Sequence, residues 1–242
     1  MSSLWCPFAR RSAIVGCIQK RRCFRDSGAK RCEPAAPLRK RGTAPVFPDA
    51  PRYHGGMKLI KAWTGDLDRA YELFGKFQAD EHGFINDAYG LSRDEFAEYM
   101  RKVEDMHAGR NLPEGYVPAT KYILVNDSGD YVGIFNLRHC LNDRLREGAG
   151  HIGYGIAPEY RGCGYATAGL RMILAIALAE YGIREAYLSV NKDNPASLAV
   201  QRHLGARIDH DNDTEYFTRI RIAEPDAMPE LCRDPGKDGV CG

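Results

Sequence analysis

Apolar residues recur every three or four positions at Leu170, Ile173, Leu174, Ala177, Leu178 and Tyr181, the spacing of one buried helical face. The pattern predicts a helix opening near Thr167. Before it lies Gly150-His151-Ile152-Gly153-Tyr154-Gly155-Ile156, a strand closed by Ala157-Pro158; after it, Glu185 to Val190 reads as another strand. Asn191 to Asn194 leaves that strand as a loop. Asn194 is placed to cap a short helix that takes Pro195 in its first turn, runs to about His203 and stops at Leu204-Gly205-Ala206. Upstream, Lys58 to Trp63 predicts a first strand and Asp66 to Gln78 a helix. Ser92-Arg93-Asp94-Glu95 is a capping box opening a helix to about His107. Lys121 to Asn126 and Tyr131 to Leu137 are strands joined by a turn at Asp127-Ser128-Gly129-Asp130. Arg207 to His210 and Glu215 to Ile222 close the series as a hairpin. No internal repeat is evident.

Candidate chemistry enters at Arg161-Gly162-Cys163-Gly164-Tyr165-Ala166-Thr167, where a strand gives way to the long helix. The first N–H groups of a helix lack intrahelical partners, and with the positive end of the dipole they attract phosphate oxygens. Gly162 and Gly164 permit positive φ and let a ligand approach the backbone. A tight turn using glycine for geometry alone gives the same residues. No Gly-Lys-Ser/Thr ending makes this a Walker loop, and it lacks the Gly-x-Gly-x-x-Gly spacing of a dinucleotide fold.

The Arg-x-x-Gly-x-Ala pattern after a strand ending Ile-x-Pro resembles the acetyl-CoA loop of the GCN5-related N-acetyltransferases (GNAT). A strand, an Asn-led loop, a short helix and a Leu-Gly-Phe-like ending follow that loop in the family at about the distance seen here. Asn194 with Ser197 is similar to the Asn-x-x-Ser branch that includes ribosomal-protein N-terminal acetyltransferases. The resemblance spans about Met57 to Ile222. It implies an α/β (α+β) GNAT fold, a mixed, mostly antiparallel sheet of about seven strands flanked by about four helices.

It also implies direct acetyl transfer from acetyl-CoA to an amine. Main-chain N–H groups of Tyr154, Gly155 and Ile156 would hold the pantetheine arm. The pyrophosphate would sit on Arg161, Gly162, Cys163, Gly164, Tyr165, Ala166 and Thr167, through amides more than through the Arg161 charge. Asn194 would bind the pantetheine arm, with help from Ser197. Many members place a tyrosine acid in the last helix, where this chain has Gln201, which cannot act as an acid. The leaving thiolate would then take its proton from water or another side chain, with Tyr154 and Tyr165 as candidates by proximity alone. For the base, His151 is the first candidate because imidazole titrates near neutrality, ahead of His139 and Glu159; a water chain ending at a carboxylate serves equally.

Charge divides the chain. Residues 1–56 hold 12 Lys or Arg against three acids, a balance of +9, which leaves −7 for 57–242 of the overall +2. The basic segment has no hydrophobic periodicity and reads as a disordered extension. Three readings stay open for it: sequence upstream of a start at Met57, a targeting segment, or an arm touching nucleic acid or ribosomes. The expected division is therefore extension 1–56, an N-acetyltransferase domain at 57–223 and a flexible tail at 224–242. The apolar run from Ala13 to Ile18 is short for a secretory signal, and no segment approaches a membrane span. Of eight cysteines only Cys140 and Cys163 fall in the domain, and no Cys-x-x-Cys exists, so neither zinc nor a disulfide framework is expected and the chain is assigned to the cytoplasm.

The acceptor is where the pattern runs out. The loop from Asp80 to Asp87 carries carboxylates that either attract a cationic amine or are simply solvated, and Asn136 to Asn142 is unusually polar for a strand end. A small-molecule or amino-acid amine is the first reading and a protein N-terminus the second. A non-catalytic acyl-CoA sensor and a nucleic-acid-binding protein acting through residues 1–56 are the readings from other classes. Homodimers are common in the fold that the resemblance implies.

Overall fold

The computed structural model describes residues 56–222. In order they form β1 (Lys58–Lys61), α1 (Leu67–Gly75), β2 (Asp80–Glu81), β3 (Phe84–Ile85), α2 (Arg93–His107), β4 (Ala119–Val125), β5 (Tyr131–Arg138), α3 (Asp143–Arg146), β6 (Ile152–Ile156), α4 (Tyr165–Tyr181), β7 (Glu185–Asn191), α5 (Pro195–His203), β8 (Arg207–Asp211) and β9 (Glu215–Arg221). Strands β1-β4-β5-β6 make one antiparallel sheet and β7-β9-β8 another. The two sheets meet at the start of β6. Gly150 bridges Leu188, and the His151 N–H bonds the Tyr187 carbonyl at 2.6 Å. Beyond that junction β6 and β7 share no ladder among the described residues.

Each face of the larger sheet carries its own core. α4 buries Leu170, Ile173, Leu174 and Ala177 against Phe135, Leu137 and Ile152. Gly169 is what lets this helix lie so close, since a Cβ there would stand 2.2 Å from the Phe135 ring. On the other face α1 and α2 pack Leu73, Phe74, Phe77, Phe96 and Met100 over Ile123 and Ile134. Central β4 is buried at all seven positions because it is covered on both faces.

The caps explain where helices begin. Asp66 Oδ1 accepts the Arg69 N–H at 2.9 Å, and Ser92 and Glu95 close the expected capping box. The Asn194 side chain accepts the Ser197 N–H at 3.0 Å, with Pro195 in the first turn as expected. Three local readings change. The first strand yields at Ala62 to a 3₁₀ turn, and α3, four residues long, was too short to show periodicity. The 80–87 loop is a hairpin of two-residue strands turning through His82 (φ 52°) and Gly83 (φ 90°), with Asp80 accepting the Gly83 N–H at 2.8 Å. The expectations for the basic extension before residue 56 and for the tail 224–242 lie outside the described residues.

Candidate functional site

The gap between β6 and β7 opens toward the helix that follows β6. Ala157 N–H bonds the Val132 carbonyl and Arg138 N–H bonds the His151 carbonyl. By the alternation of an antiparallel ladder, the amides of Tyr154 and Ile156 face away from β5 into the gap, whereas that of Gly155 faces β5. Gly155 serves by its missing side chain instead: a Cβ there would meet the rings of Phe77 and Phe84 at 2.8 and 3.0 Å.

At the end of β6 the chain turns through Gly162 (φ 76°) and Gly164 (φ 82°), the latter being the N-cap of the 17-residue α4. No side chain caps this helix, so its first amides, those of Tyr165, Ala166 and Thr167, keep their donors for another partner. A Cβ on Gly162 would meet nothing within 4 Å, which leaves the turn open on that side. Arg161 is turned elsewhere. Its Nε donates to the Ile156 carbonyl at 2.9 Å and its guanidinium pairs with Glu81. The exposed Cys163 makes only a long thiol contact to the Arg161 carbonyl, 3.6 Å.

Tyr154 projects from β6 toward α5. Its hydroxyl lies 2.8 Å from Ser197 Oγ, and its ring stacks on Phe135. Burial pushes its pKa up to about 12, so it holds its proton at neutral pH. Gln201, on the buried face of the same helix, is 1% exposed and accepts from Thr218 Oγ1 at 2.6 Å. Tyr154, Ser197, Gln201 and Thr218 thus form one polar line along the inner side of α5. Tyr165 instead packs edge-on against Tyr160.

His151 occupies the junction. Its Nδ1 accepts the Tyr187 backbone N–H at 3.0 Å, doing the work of a strand carbonyl, and the ring is 8% exposed. Burial first, then the nearby Arg146, Arg138 and Arg219, lower its pKa from 6.5 to about 4. His139 faces the opposite side of the sheet, stacked on Tyr181 at 4.0 Å and joined to Thr120 at 2.7 Å. Glu159 is held by Lys76.

The sheet face under α1 and α2 carries charge. Register places Lys121, Asn136 and Gly153 in one row across β4, β5 and β6, with Arg138 in the next row. The expected acidic loop does not offer free carboxylates there. Glu81 holds Arg161 and the Gln78 N–H, Asp80 holds Gly83, and Asp87 meets Lys121 at 3.6 Å.

The acetyltransferase (GNAT) domain family matches residues 59–207, well over half of the chain. This chain is a GNAT acetyltransferase. It is an acyltransferase enzyme, and acetyl-CoA is its acetyl donor. No curated protein sequence matches it. Among solved structures, a probable acetyltransferase aligns at 21% identity over 68% of this chain and 91% of its own, with a TM-score of 0.51. The ribosomal-protein-S5-alanine acetyltransferase from Vibrio fischeri aligns at 15% identity over 68% and 91%, also at 0.51, and both show the same fold. The spermidine N-acetyltransferase from Vibrio cholerae, solved with CoA and spermine, aligns at 18% identity over 68% and 95% with a TM-score of 0.48. No helix among the described residues of the GNAT domain is long and apolar enough to cross a membrane, and none of its His, Cys, Asp and Glu residues group in threes to hold a metal ion.

Proposed function

We propose that this domain moves the acetyl group of acetyl-CoA directly to a primary amine of a small molecule or amino acid. The reading is carried by one observation: the unpaired strand edge of β6 leads straight into an uncapped, glycine-built helix N-terminus. A pantetheine arm needs donors spaced like a strand, and the amides of Tyr154 and Ile156 provide them. A pyrophosphate needs converging N–H groups in a turn without Cβ bulk, which Gly162 to Thr167 provide. Arg161, engaged by Glu81, shapes the loop rather than contributing a free charge. Asn194 spends its side-chain oxygen on its own helix and keeps its amide NH₂ for the arm.

The chemistry needs one proton taken from the amine and one given to the leaving thiolate as nitrogen replaces sulfur on the acyl carbon. Tyr154 is assigned the second role. Its protonated hydroxyl lies against α5 beside Gln201, the position from which the usual tyrosine is missing, and Ser197 orients it. His151 is assigned to the sheet junction, because its Nδ1 is already an acceptor there and its basicity is low. Water receives the amine proton. Tyr154→Phe is expected to lower kcat by up to about a hundredfold with little change in acetyl-CoA affinity, measured by steady-state kinetics. An unchanged kcat would remove Tyr154 from the reaction.

The cofactor assignment is tested by calorimetric titration of the full chain with acetyl-CoA beside Gly164→Glu. The variant sets a carboxylate where phosphate oxygens would lie, and binding is expected to weaken at least about tenfold. Absence of binding by the folded parent defeats the reading; binding without turnover on any amine would leave a coenzyme A sensor. A cytoplasmic location and a protein N-terminus as acceptor are the secondary readings, the latter suggested only by the Asn194-x-x-Ser197 pair.

A further inference from the structure

A lysine is almost never buried unless paired. Lys121, in the middle of β4, is 8% exposed, and its acid partner, Asp87, is mostly exposed and stands 3.6 Å away, beyond hydrogen-bond length. The ammonium lies 6.0 Å from the Phe74 ring centroid and 5.7 Å from that of Tyr99. The buried Tyr99 hydroxyl, close enough to act on the lysine's charge, meets no partner at hydrogen-bond distance. Burial works to lower the Lys121 pKa, but Tyr99 and Asp87 outweigh it and hold the group protonated. A second cation stands in the neighbouring row. Arg138 is half-buried, anchors one nitrogen on the Gly150 carbonyl at 3.0 Å, and feels the same Asp87 carboxylate.

Among the described residues two cations therefore share one exposed acid, with one positive charge left unmatched. A chain that needed only stability would gain as much from an apolar side chain at 121. The other charged groups nearby do not cancel the excess: Arg219 is matched by Asp209 at 3.0 Å, and His151 is neutral. The sheet surface is open in that row at Gly153, where a built Cβ would meet nothing within 4 Å. This is the face of β6 opposite Tyr154, and under the acetyltransferase reading it borders the strand along which the acetyl group would be held.

We propose that the acceptor is an amine bearing a carboxylate on the same molecule, and that Lys121 and Arg138 bind that carboxylate. The inference rests on the acetyltransferase reading above and narrows it. One unmatched charge suits a monoanion better than a phosphate dianion, and a polyamine, with cations of its own, is repelled.

The test uses the full chain and acetyl-CoA with the standard L-amino acids, β-alanine and 4-aminobutyrate, each against its own carboxamide. The amide removes the charge while leaving an amine that sheds its proton at least as readily, so any preference for the acid reports recognition. Spermidine and O-phosphoethanolamine complete the panel. At least one acid is expected to exceed its amide about tenfold or more in kcat/KM. Lys121→Met and Arg138→Gln are each expected to raise KM for that acid about tenfold without raising it for the amide. Asp87→Asn, at an exposed side chain where folding is not at risk, is expected to lower KM for the acid. Preference for spermidine, for O-phosphoethanolamine or for the amides overturns the proposal. So does a chain that binds acetyl-CoA yet acetylates no member of the panel, or an Asp87→Asn variant with unchanged KM. Failure to bind acetyl-CoA at all overturns the acetyltransferase reading itself, and is seen separately by calorimetry.

Discussion

Gly150→Ala is expected to cost about 4 kcal/mol or more of folding stability, a large part of the total for a domain of this size. Gly150 is the point at which the two sheets join. It bridges Leu188, its N–H bonds the Leu145 carbonyl at 2.9 Å, and its carbonyl receives Arg138 at 3.0 Å. Its φ of 63° already disfavours any side chain, which for alanine costs roughly 1–2 kcal/mol. The larger part is steric. A Cβ would stand 2.1 Å from the Tyr187 carbonyl oxygen and 2.8 Å from the Leu188 nitrogen, both backbone atoms that cannot swing aside as a side-chain end can. Relief requires β7 to move off β6, which breaks the His151–Tyr187 bond and widens the gap to which the pantetheine arm is proposed to bind. Gly129→Ala is the control, with φ of 86° but nothing within 4 Å of its Cβ, so it bears only the conformational penalty. Thermal melts of the two variants measure the difference, about 8 °C or more in Tm between them. Equal melts would show that the junction yields without cost.

The same residues show what the sequence could and could not convey. Long elements were legible because periodicity and caps agree: Ser92 with Glu95 opens α2, Asn194 with Pro195 opens α5, and the apolar stripe of α4 lies on the sheet as expected. The glycine turn at 162 to 164 announced itself because only glycine takes positive φ cheaply, and both residues do. Lone polar residues were a different matter. His151 looked like a base because imidazole titrates near neutrality, but no local pattern reveals that its Nδ1 completes a strand pairing with residue 187, 36 positions away. Gln201 read as the loss of an acid; its burial against Thr218 and the approach of Tyr154 from another strand depend on tertiary packing alone. Lys121 passed unnoticed within a strand-like run. A lysine in a strand signals an edge or a solvent face, and only the sheet order β1-β4-β5-β6 shows that this one lies in the interior. The acidic loop was ambiguous for the converse reason, since each carboxylate there has a partner distant in sequence or on its own turn.

Acidification from pH 7 to pH 4 is expected to remove about 3 kcal/mol of stability through His151 alone. In the folded chain its pKa is about 4, against 6.5 when solvated. Between those values the unfolded chain binds more protons than the folded one, so unfolding free energy rises with pH across that interval. The contribution is intact above pH 6.5, declines as pH falls toward 4, and is fully lost below it. His139, also lowered to about 4 by burial and then by His107 and Lys61, acts in the same direction on the far face of the sheet. Carboxylates whose pKa is lowered in the fold, such as Asp105 beside Arg110 and Asn111 or Glu95 beside Ser92, add their loss as pH falls through their ordinary values of 3.8 and 4.5. The interval from pH 5 to 6.5 therefore isolates the histidines. Urea unfolding measured across it is expected to show stability dropping with each step downward. In His151→Asn the side-chain oxygen keeps an acceptor for the Tyr187 N–H but takes up no proton, so the slope should flatten by the His151 share while neutral-pH stability falls only modestly. A slope unchanged by that substitution would mean that His151 titrates as freely in the folded chain as in the unfolded one. Its imidazole would then be available to the amine after all.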